Sequence, residues 1–312
     1  MLNPNDISRY PSRRYSLVKP KIGVVGIPGK WSTEVLADAV AKASGYRLVI
    51  DMAEVTAELD SGRLLYRGED LTQLDALLVK KISAQYSPHT LDRLEMLRQL
   101  ELAGVRVFSQ VERIIRLIDR LSCTMSLYNA RIPMPETRIT EDPEAAAKAV
   151  EAFQAAVFKP LYSTKARGMT LIEHQSGPEQ VANEIAEFRK QNPVMYIQKK
   201  RELPGKDLGM VFLAGEYLGA YARVGKQGVW NTTILSGGHY EGYQASDELI
   251  ELASRAQAVF GLDFTTVDVA ETDQGPVVFE VSAFGGFRGA HEGMGIDVPT
   301  RYVAHVMEAL SA

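Results

Sequence analysis

Cysteine is nearly absent from this chain, since Cys123 is the only one among 312 residues. A single thiol excludes an internal disulfide and any zinc site made from several cysteines. Cys123 lies in a helical pattern beside Met125 and Leu127, and a free cysteine is usually buried. We therefore predict a core residue rather than a nucleophile, in a protein of a reducing compartment.

Long apolar runs and a strong net charge are absent as well. No stretch approaches the roughly 20 apolar residues that a membrane-spanning helix needs, and the formal net charge is only −4. Residues 1–17 are basic, with Arg9, Arg13, Arg14 and the nearby Lys19, but they lack the apolar core of an export signal. This arm is either a solvated tail or a contact for an acidic substrate or another subunit. We predict a cytoplasmic protein with no nucleic-acid or membrane partner.

Strand and helix patterns alternate through the first third of the chain. Residues 21–27 are predicted to form a buried strand, and residues 33–45 are predicted to form a helix that ends at Gly45. Further short strands and an amphipathic helix over residues 88–104 follow. With 46% hydrophobic and 24% charged residues, this alternation predicts a globular, open α/β domain.

The turn after the first strand, GIPGKWS, matches a phosphate-binding loop only in part. Trp31 follows Lys30 where that motif needs Ser or Thr, and Val24 replaces its first glycine. We interpret the segment as a tight strand–helix turn. The alternative is that its backbone amides bind an anionic group of a substrate.

A continuous helical pattern begins at Val111 and runs to about residue 130, where a Pro-rich segment opposes it. Helices over residues 143–153 and 178–191 then alternate with short strands. This pattern predicts a small α+β module over about residues 130–200.

Two apolar strands over residues 264–281 carry one carboxylate each, Asp268 and Glu280, with turn residues between them. This pattern predicts an antiparallel hairpin. An unpaired carboxylate in an apolar strand would be very costly, and hard oxygen ligands of this kind suit Mg2+. The two acids are therefore either ligands of a cation or solvent-facing residues of a two-sided hairpin.

Basic and polar residues stand at the ends of other predicted strands. Lys159 precedes a loop that contains Gly168, an arrangement that offers a positive charge and backbone amides to phosphates. Gln198, Lys199 and Lys200 end the strand that leads into the last part of the chain. Such an edge can present backbone groups to an adenine ring, and a solvated strand end is the alternative.

With these residues in place, the chain resembles the ATP-grasp superfamily, specifically its RimK-like glutamate-ligase branch. The resemblance covers about residues 112–290 and rests on RLIDRLSCTMSLYNARIPMPET, VFKP, IQKKRELPGKDL and the two hairpin acids. It implies an N-terminal open α/β (pre-ATP-grasp) domain over 18–118, after the basic arm. A two-subdomain ATP-grasp fold follows, with a lid over 119–200 and a C-terminal subdomain over 201–312.

The resemblance also assigns contacts with ATP to the residues that match the family's motifs. The family usually has lysine where Arg120 stands and glutamate where Lys199 stands. Its asparagine after WxT aligns with Thr233, with Asn231 two positions earlier, and Lys165 makes the phosphate loop unusually basic. The implied ATP-binding residues are Arg120, Lys159, Gly168, Gln198, Lys199, Lys200, Asp207 and Arg223.

By the same resemblance, a divalent metal ion, Mg2+ or Mn2+, is held by Asp268, Glu280 and Ser282. Ser282 stands where the family has asparagine, and its hydroxyl still offers an oxygen. The predicted catalytic residues are Arg223 and Arg288. Arg288 would hold a substrate carboxylate or the γ-phosphate from the Gly-rich loop that follows the hairpin, with a salt bridge within that loop as the alternative.

The implied activity is that of a carboxylate–amine ligase, in which ATP phosphorylates a carboxylate and an amine attacks the acylphosphate. His291 is either an assisting base or a surface histidine. The expected substrates are small-molecule or peptide carboxylates and amines, glutamate among them, and a homo-oligomer is compatible with the resemblance. Two alternatives stay open, a nucleotide-binding regulatory or scaffold protein without turnover and a small-molecule kinase on the same fold.

Overall fold

The computed structural model describes residues 19–164, 166–226, 232, 234 and 237–312. Several residues named from the sequence lie outside this described part of the chain. They are Arg9, Arg13 and Arg14 of the basic arm, Lys165 of the phosphate loop, and Asn231 and Thr233.

The first part of the chain is built on a parallel sheet, as the alternating pattern predicted. Its strands in the order β2-β1-β6-β7 form what we call the N-terminal sheet, beside a small antiparallel sheet of β3, β4 and β5. The strands are β1 Ile22–Val25, β2 Val49–Ile50, β3 Thr56–Glu58, β4 Arg63–Tyr66, β5 Glu69–Asp70, β6 Ala76–Val79 and β7 Arg106–Phe108. The helices are α1 Trp31–Ser44, α2 His89–Leu102 and α3 Val111–Ile115.

The continuous helix predicted from Val111 is wrong, because the structure divides it into α3 and a second helix, α4 (Arg120–Asn129). The Asp119 carboxylate accepts a hydrogen bond of 2.8 Å from the backbone N–H of Ser122 and so caps α4. An aspartate in this position starts a new helix rather than continuing the old one. The break places Arg120 at the first position of α4 with its side chain buried.

The next part forms an antiparallel sheet in the order β10-β9-β11-β8, which we call the middle sheet. Its α5 begins at Pro143, as predicted, and the Asp142 side chain accepts a hydrogen bond from the Glu144 backbone N–H at 2.9 Å. The two helices of this part and the sheet share a core of their own. The elements are β8 Thr137–Thr140, α5 Pro143–Phe153, β9 Ala155–Lys159, β10 Thr170–Glu173, α6 Pro178–Gln191 and β11 Met195–Lys199.

The last part forms the C-terminal sheet, which is antiparallel and has the order β14-β13-β12-β15-β16. Ala214 and Gly215 make the turn between β12 and β13 with φ angles of 51° and 83°, which suits a tight hairpin. The predicted acidic hairpin is confirmed as β15 and β16. The elements are β12 Lys206–Leu213, β13 Glu216–Val224, β14 His239–Tyr243, α7 Asp247–Ala258, β15 Phe264–Thr272, β16 Gly275–Val281, α8 Phe287–Met294 and α9 Val298–Ser311.

The Gly-rich segment after β16 was predicted to be a loop, and this is wrong from Phe287 onward, where α8 begins. Its glycines allow the helix to lie directly on a buried tyrosine. A Cβ atom at Gly289 would lie 2.4 Å from Cζ of Tyr221, and one at Gly293 would lie 3.0 Å from its Cβ. Glycine therefore serves close packing here rather than a flexible loop.

The first and last parts of the chain share one apolar core. Residues of β1, α1 and β6 pack with residues of α8 and α9, among them Leu36, Val40, Phe287 and Val306. The domain boundaries at residues 118 and 200 stay predictions. Within the described residues, no helix is long and apolar enough to cross a membrane.

Candidate active site

Asp268 and Glu280 lie directly opposite each other on β15 and β16. Side chains at paired positions of an antiparallel hairpin project to the same face, so the two carboxylates share one face of the sheet. A register shift follows Asp268. Asp268 is the more buried, with 16% of its side chain exposed against 39% for Glu280. The alternative of two solvent-facing acids therefore does not hold for Asp268.

Arginine side chains approach both carboxylates. The Arg223 guanidinium lies 3.1 Å from one oxygen of Asp268, and the Arg120 guanidinium lies 2.9 Å from one oxygen of Glu280. Burial raises the pKa of Asp268 to about 7, with Arg223 opposing this shift and Glu280 adding to it. The other oxygen of Asp268, Oδ1, is buried without a hydrogen-bond partner.

The oxygen atoms on this face fit a hard divalent cation. A buried carboxylate oxygen without a partner is costly, and a metal ion would satisfy Oδ1 of Asp268 while Glu280 supplies a second ligand. Ser282 directly follows β16, two positions after Glu280, and its backbone N–H donates to the carbonyl oxygen of Thr266 on β15. The described part of the chain contains no group of three or more His, Cys, Asp and Glu side chains with metal-binding geometry. Water and phosphate oxygens would therefore complete a Mg2+ shell.

Lys159 ends β9 and is buried beside this face. Its Nζ donates to Oε1 of Gln198 at 2.5 Å and lies 5.2 Å from the ring centroid of Phe279 on β16. Burial lowers the pKa of Lys159 to about 7, and Arg120 lowers it further, while Glu280 and Asp268 act in the opposite direction. The lysine is thus within electrostatic range of both hairpin carboxylates.

Gln198 holds Lys159 through a buried chain of hydrogen bonds that the sequence did not reveal. Its amide nitrogen donates to Thr137 Oγ1 at 3.1 Å and to the Tyr196 hydroxyl at 3.3 Å, and that hydroxyl lies 2.9 Å from Thr124 Oγ1. With its nitrogen engaged in this way, Gln198 must turn its oxygen toward the lysine. The Gln198 side chain therefore contacts Lys159 rather than open solvent.

The two lysines that follow Gln198 form ion pairs with glutamates other than Glu280. Lys199 Nζ lies 2.9 Å from a carboxylate oxygen of Glu136, and Lys200 Nζ lies 2.6 Å from one of Glu202. Their backbone N–H groups are used by the carbonyls of Glu136 and Ala155. The structure brings Lys159 and Gln198 to the acidic face, while the ammonium groups of Lys199 and Lys200 are held in these pairs.

Asp207 and Arg223 are cross-strand partners on β12 and β13, and their side chains form a close ion pair. Thr232 donates its hydroxyl to Asp207 at 2.5 Å. Burial alone would lower the pKa of Arg223, but Asp268 and Asp207 together raise it well above its ordinary value. The guanidinium thus stays charged between two carboxylates, and Asp207 contacts Arg223 in this arrangement.

Two further predicted residues, Gly168 and Arg288, lie in the loop between β9 and β10 and at the start of α8. Gly168 has a φ of 69° in the loop between β9 and β10, a conformation that favours glycine. Arg288 lies in the first turn of α8, not in a loop as predicted, where it pairs with Glu292 at 3.3 Å and covers the ring of Trp31 at 5.2 Å. The predicted salt-bridge alternative is therefore present, as a pair within a helix.

His291 on α8 contacts the first part of the chain, and Tyr240 lies close to the charged residues of the site. His291 is exposed, and its ring centroid lies 5.6 Å from that of Trp31. Burial raises the pKa of Tyr240, and Arg223, Glu292, Arg288 and Asp268 all act on it electrostatically. Tyr240 is the cross-strand partner of Arg223 on β13 and β14, and it is close enough to both ion pairs for their charges to act on its pKa. The sequence around Tyr240 did not predict this position.

Cys123 is buried, as predicted, and burial raises the pKa of its thiol to about 12. A thiol with such a pKa is almost fully protonated near neutral pH, and only the thiolate is a good nucleophile. The core assignment is therefore confirmed.

Comparison with known proteins identifies the family. A family model described as the RimK-like ATP-grasp domain matches residues 118–306. A tetrahydromethanopterin:α-L-glutamate ligase of Methanosarcina acetivorans is 24% identical, covering 92% of this chain and 98% of the relative. A probable α-L-glutamate ligase of Thioalkalivibrio sulfidiphilus is 28% identical, covering 92% of this chain and 95% of the relative.

Solved structures show the same fold. The ATP-grasp ligase PsnB, complexed with a phosphomimetic variant of its minimal precursor, Mg and ADP, has a TM-score of 0.72 at 17% identity, covering 95% of this chain and 100% of that one. The RimK domain protein of Sphaerobacter thermophilus has a TM-score of 0.70 at 22% identity, covering 91% and 98%. The chain therefore belongs to the RimK-like ATP-grasp family and is an ATP-grasp ligase, an enzyme that forms carbon–nitrogen bonds with ATP and Mg2+.

Proposed function

We propose that this enzyme joins the amino group of glutamate to a carboxylate of an acceptor through an acylphosphate. The proposal rests on one observation. On one face of the C-terminal sheet, the carboxylates of Asp268 and Glu280 lie close to three basic side chains, which are Lys159, Arg120 and Arg223. Three cations beside two carboxylates suit a polyanionic nucleotide bound with a divalent metal. The names of the two glutamate ligase relatives support glutamate as the amino acid.

The reaction balances without a protein nucleophile. A carboxylate oxygen of the acceptor attacks the γ-phosphorus of ATP, the bond to the β-phosphate oxygen breaks, and ADP leaves. The amine nitrogen of glutamate then attacks the acyl carbon, the bond from that carbon to the phosphate oxygen breaks, and phosphate leaves. The amine loses one proton to the departing phosphate or to solvent, and the product is an amide. Prearranged charges are the main contribution a protein makes to such a transfer.

Each residue of the site has a proposed task. When bound, Mg2+ neutralises phosphate oxygens and ATP supplies the phosphoryl group. Asp268 and Glu280 would hold the metal, with Ser282 near it, and Lys159 would hold its proton and bind phosphate oxygens. Arg223 would stabilise charge on the transferred phosphoryl group, because its guanidinium stays protonated.

The remaining predicted residues would bind the rest of the nucleotide and the substrate. Arg120 would exchange Glu280 for a phosphate oxygen, and the loop at Gly168 would present backbone amides to the phosphates. The backbone near Lys199 and Lys200 would face the adenine ring. Arg288 would exchange Glu292 for a substrate carboxylate, which a guanidinium can hold with two hydrogen bonds.

The acceptor class is drawn from the relatives. The Methanosarcina relative is named for a small-molecule acceptor, tetrahydromethanopterin, and PsnB is complexed with a precursor peptide. We propose a small molecule or peptide that ends in a carboxylate. The choice between them depends on surfaces outside the charged face.

A coupled assay of ADP release tests the proposal. The protein is incubated with ATP, Mg2+, each amino acid and a panel of carboxylate acceptors, and products are analysed by mass spectrometry. We expect ADP release that needs both glutamate and one acceptor class, and a product that contains one added glutamate. A stable phosphorylated acceptor formed without consumption of an amine would instead support a kinase. Absence of stimulation by any amino acid would contradict glutamate ligation.

A further inference from the structure

Lys80 is a buried lysine that the proposed chemistry does not use. It directly follows β6 of the N-terminal sheet, and only 6% of the residue is exposed. Burial lowers its pKa to about 7, and the neighbouring Lys81 lowers it further. Burying an ammonium group is costly unless it is paired and hydrogen-bonded. Its contacts must therefore offset a substantial cost.

The ammonium group of Lys80 contacts the segment that follows β16. Its Nζ donates to the carbonyl oxygen of Gly285 at 2.7 Å and to that of Phe284 at 3.4 Å. Nζ also lies 4.4 Å from the ring centroid of Phe287, where α8 begins, which is within cation–π range. Within the described part of the chain, the polar partners of this ammonium group are thus carbonyl groups about 200 positions away, while the backbone N–H of Lys80 donates to Val25 on β1.

We call residues 282–286 the joining segment, because they join β16 to α8. The joining segment also lies directly on β15. A Cβ atom at Gly285 would lie 2.8 Å from the carbonyl carbon of Thr265 and 2.9 Å from the nitrogen of Thr266. The joining segment is therefore confined between the backbone of β15 and the ammonium group of Lys80.

Tyr86, in the stretch between β6 and α2, also packs against the joining segment. The ring of Tyr86 meets that of Phe284 edge-on at 6.3 Å. Burial raises the pKa of Tyr86, and the charge of Glu280 raises it further. The chain after β6 therefore packs beside the joining segment at the end where the proposed metal ligands lie.

We infer that Lys80 is a positioning residue of the ligase site. By holding the carbonyls of Phe284 and Gly285, it fastens the joining segment to the N-terminal sheet. This fixes Ser282 at the metal end of the segment and Arg288 just beyond its other end. Removal of Lys80 leaves two carbonyl groups without their donor, so the segment loosens and the two side chains lose their relative placement. The inference rests on the proposed tasks of Ser282 and Arg288.

Hydrogen exchange of the full-length protein tests the inference without any substrate. We compare Lys80→Met with Lys42→Met, which removes an exposed lysine of α1. In Lys80→Met, amides of residues 283–289 are expected to exchange about tenfold faster or more, the factor that follows from losing hydrogen bonds to a charged donor. Amides of α5 and α6 should exchange as in the wild type. Lys42→Met should match the wild type throughout.

Kinetics separate positioning from a general loss of stability. With a substrate pair found by the ADP-release screen, kcat of Lys80→Met should fall about tenfold or more while KM for ATP changes less than about twofold. Lys80→Gln, which keeps N–H donors, covers the case that Lys80→Met does not fold, and it should show a smaller rise in exchange in the same segment.

Two results would overturn the inference. One is unchanged exchange over residues 283–289 in Lys80→Met, or in Lys80→Gln where Lys80→Met does not fold, and the other is a uniform rise across the whole chain. If the local rise is found but no amino acid stimulates ADP release, the proposed function fails while the fastening by Lys80 stands.

Discussion

At the scale of single residues, the charges of the site are balanced in pairs before any ligand binds. Arg120 pairs with Glu280, and Arg223 pairs with Asp207 and Asp268. Taking one partner from a buried pair leaves an uncompensated charge, which is strongly unfavourable. A bound nucleotide and its metal ion can replace both partners at once. Phosphate groups would take the place of the carboxylates beside the arginines, and the metal ion would take the place of the guanidinium groups beside the carboxylates. We therefore expect ATP and Mg2+ to bind with positive coupling.

Lys159 should take up a proton when ATP binds. Its pKa of about 7 lies below the ordinary value, so above pH 7 most of the free protein carries a neutral lysine. Polyphosphate raises that pKa, since it stabilises the ammonium form. At pH 8, without metal, calorimetry in buffers of different ionisation enthalpy should show uptake of up to one proton. Lys159→Met should abolish most of the uptake and lower ATP affinity by about 10- to 100-fold.

The same pKa makes the stability of the free protein depend on pH. The lysine is buried with a pKa below that of the unfolded chain, so the unfolded state binds more protons between about pH 7 and the ordinary lysine value. The free energy of unfolding should therefore rise with pH across that window. Lys159→Met should reduce the rise in urea titrations by about half, because Lys80 has a similarly lowered pKa and keeps its share. Lys148→Met, at an exposed position of α5, should keep the full rise. An equal slope in Lys159→Met and the wild type would contradict this assignment.

The apparent affinity for Mg2+ should depend on the protonation state of Asp268. Its pKa of about 7 means that a metal ion must displace a proton below that pH, so the apparent Mg2+ affinity should fall by up to about tenfold per pH unit there. Asp268→Ala should abolish Mg2+-dependent ADP release, while the protein stays folded by circular dichroism. Asp273→Asn, in the exposed turn of the same hairpin, serves as the control. Full activity of an Asp268→Ala/Glu280→Ala double variant would end the metal assignment.

At the scale of elements, the break between α3 and α4 matters most for the site. The N-cap at Asp119 sets the first turn of α4, and that turn carries Arg120 toward Glu280. The backbone N–H of Arg120 also donates to Leu161 just beyond β9. The start of α4 thus links the lysine-bearing strand to the acidic hairpin.

Removing the cap should therefore affect both stability and the site. We expect Asp119→Ala to lower the free energy of unfolding by about 1 kcal/mol, as is typical of a lost N-cap, and to raise KM for ATP because Arg120 is displaced. Asp119→Asn keeps a capping oxygen and should lose much less of either. Urea titration and ADP-release kinetics check the pair. Equal behaviour of the two variants would mean that the charge of Asp119, not its cap, is what matters.

At the scale of the whole molecule, the middle sheet has its own apolar core, while the first and last parts share theirs. Polar contacts tie the middle sheet to the hairpin. Glu136 binds both Lys199 and Arg201, and Arg201 donates to Gln274 in the β15–β16 turn at 2.8 Å. Ion pairs and hydrogen bonds of this kind break and re-form at lower cost than the contacts within an apolar core. We therefore expect the middle sheet to move as a unit over bound nucleotide.

Arg201 is the residue whose loss should free this motion. Only 11% of its side chain is exposed, so Arg201→Met should uncouple Glu136 from Gln274 at a modest cost in stability. We expect a larger radius of gyration by small-angle scattering without nucleotide, and a value close to that of the wild type with ATP analogue and Mg2+. Arg189→Met, on the exposed face of α6, should behave as the wild type. Unchanged scattering of Arg201→Met without nucleotide would show that other contacts hold the sheet.

The sequence by itself determined the local elements and the pairing of the two acids. Two apolar runs with turn residues between them were sufficient for the hairpin that sets Asp268 opposite Glu280, and the helical pattern that begins at Pro143 was sufficient for the start of α5. These features depend on neighbours within a few positions. Local patterns nevertheless failed at Asp119, where a side-chain cap divides a helical stretch, and at Phe287, where tight packing on Tyr221 turns a Gly-rich segment into a helix.

Only the tertiary structure decided which charges meet. Arg120 and Glu280 are 160 positions apart, and Lys80 and Gly285 are 205 apart. No local pattern encodes such contacts, because they depend on how the sheets pack. Packing also turned the oxygen of Gln198 toward Lys159 and placed Lys199 and Lys200 in ion pairs. Residue types and spacing thus restrict the chemistry to ATP, metal and anionic groups, while burial and packing determine the partner and the protonation state of each side chain.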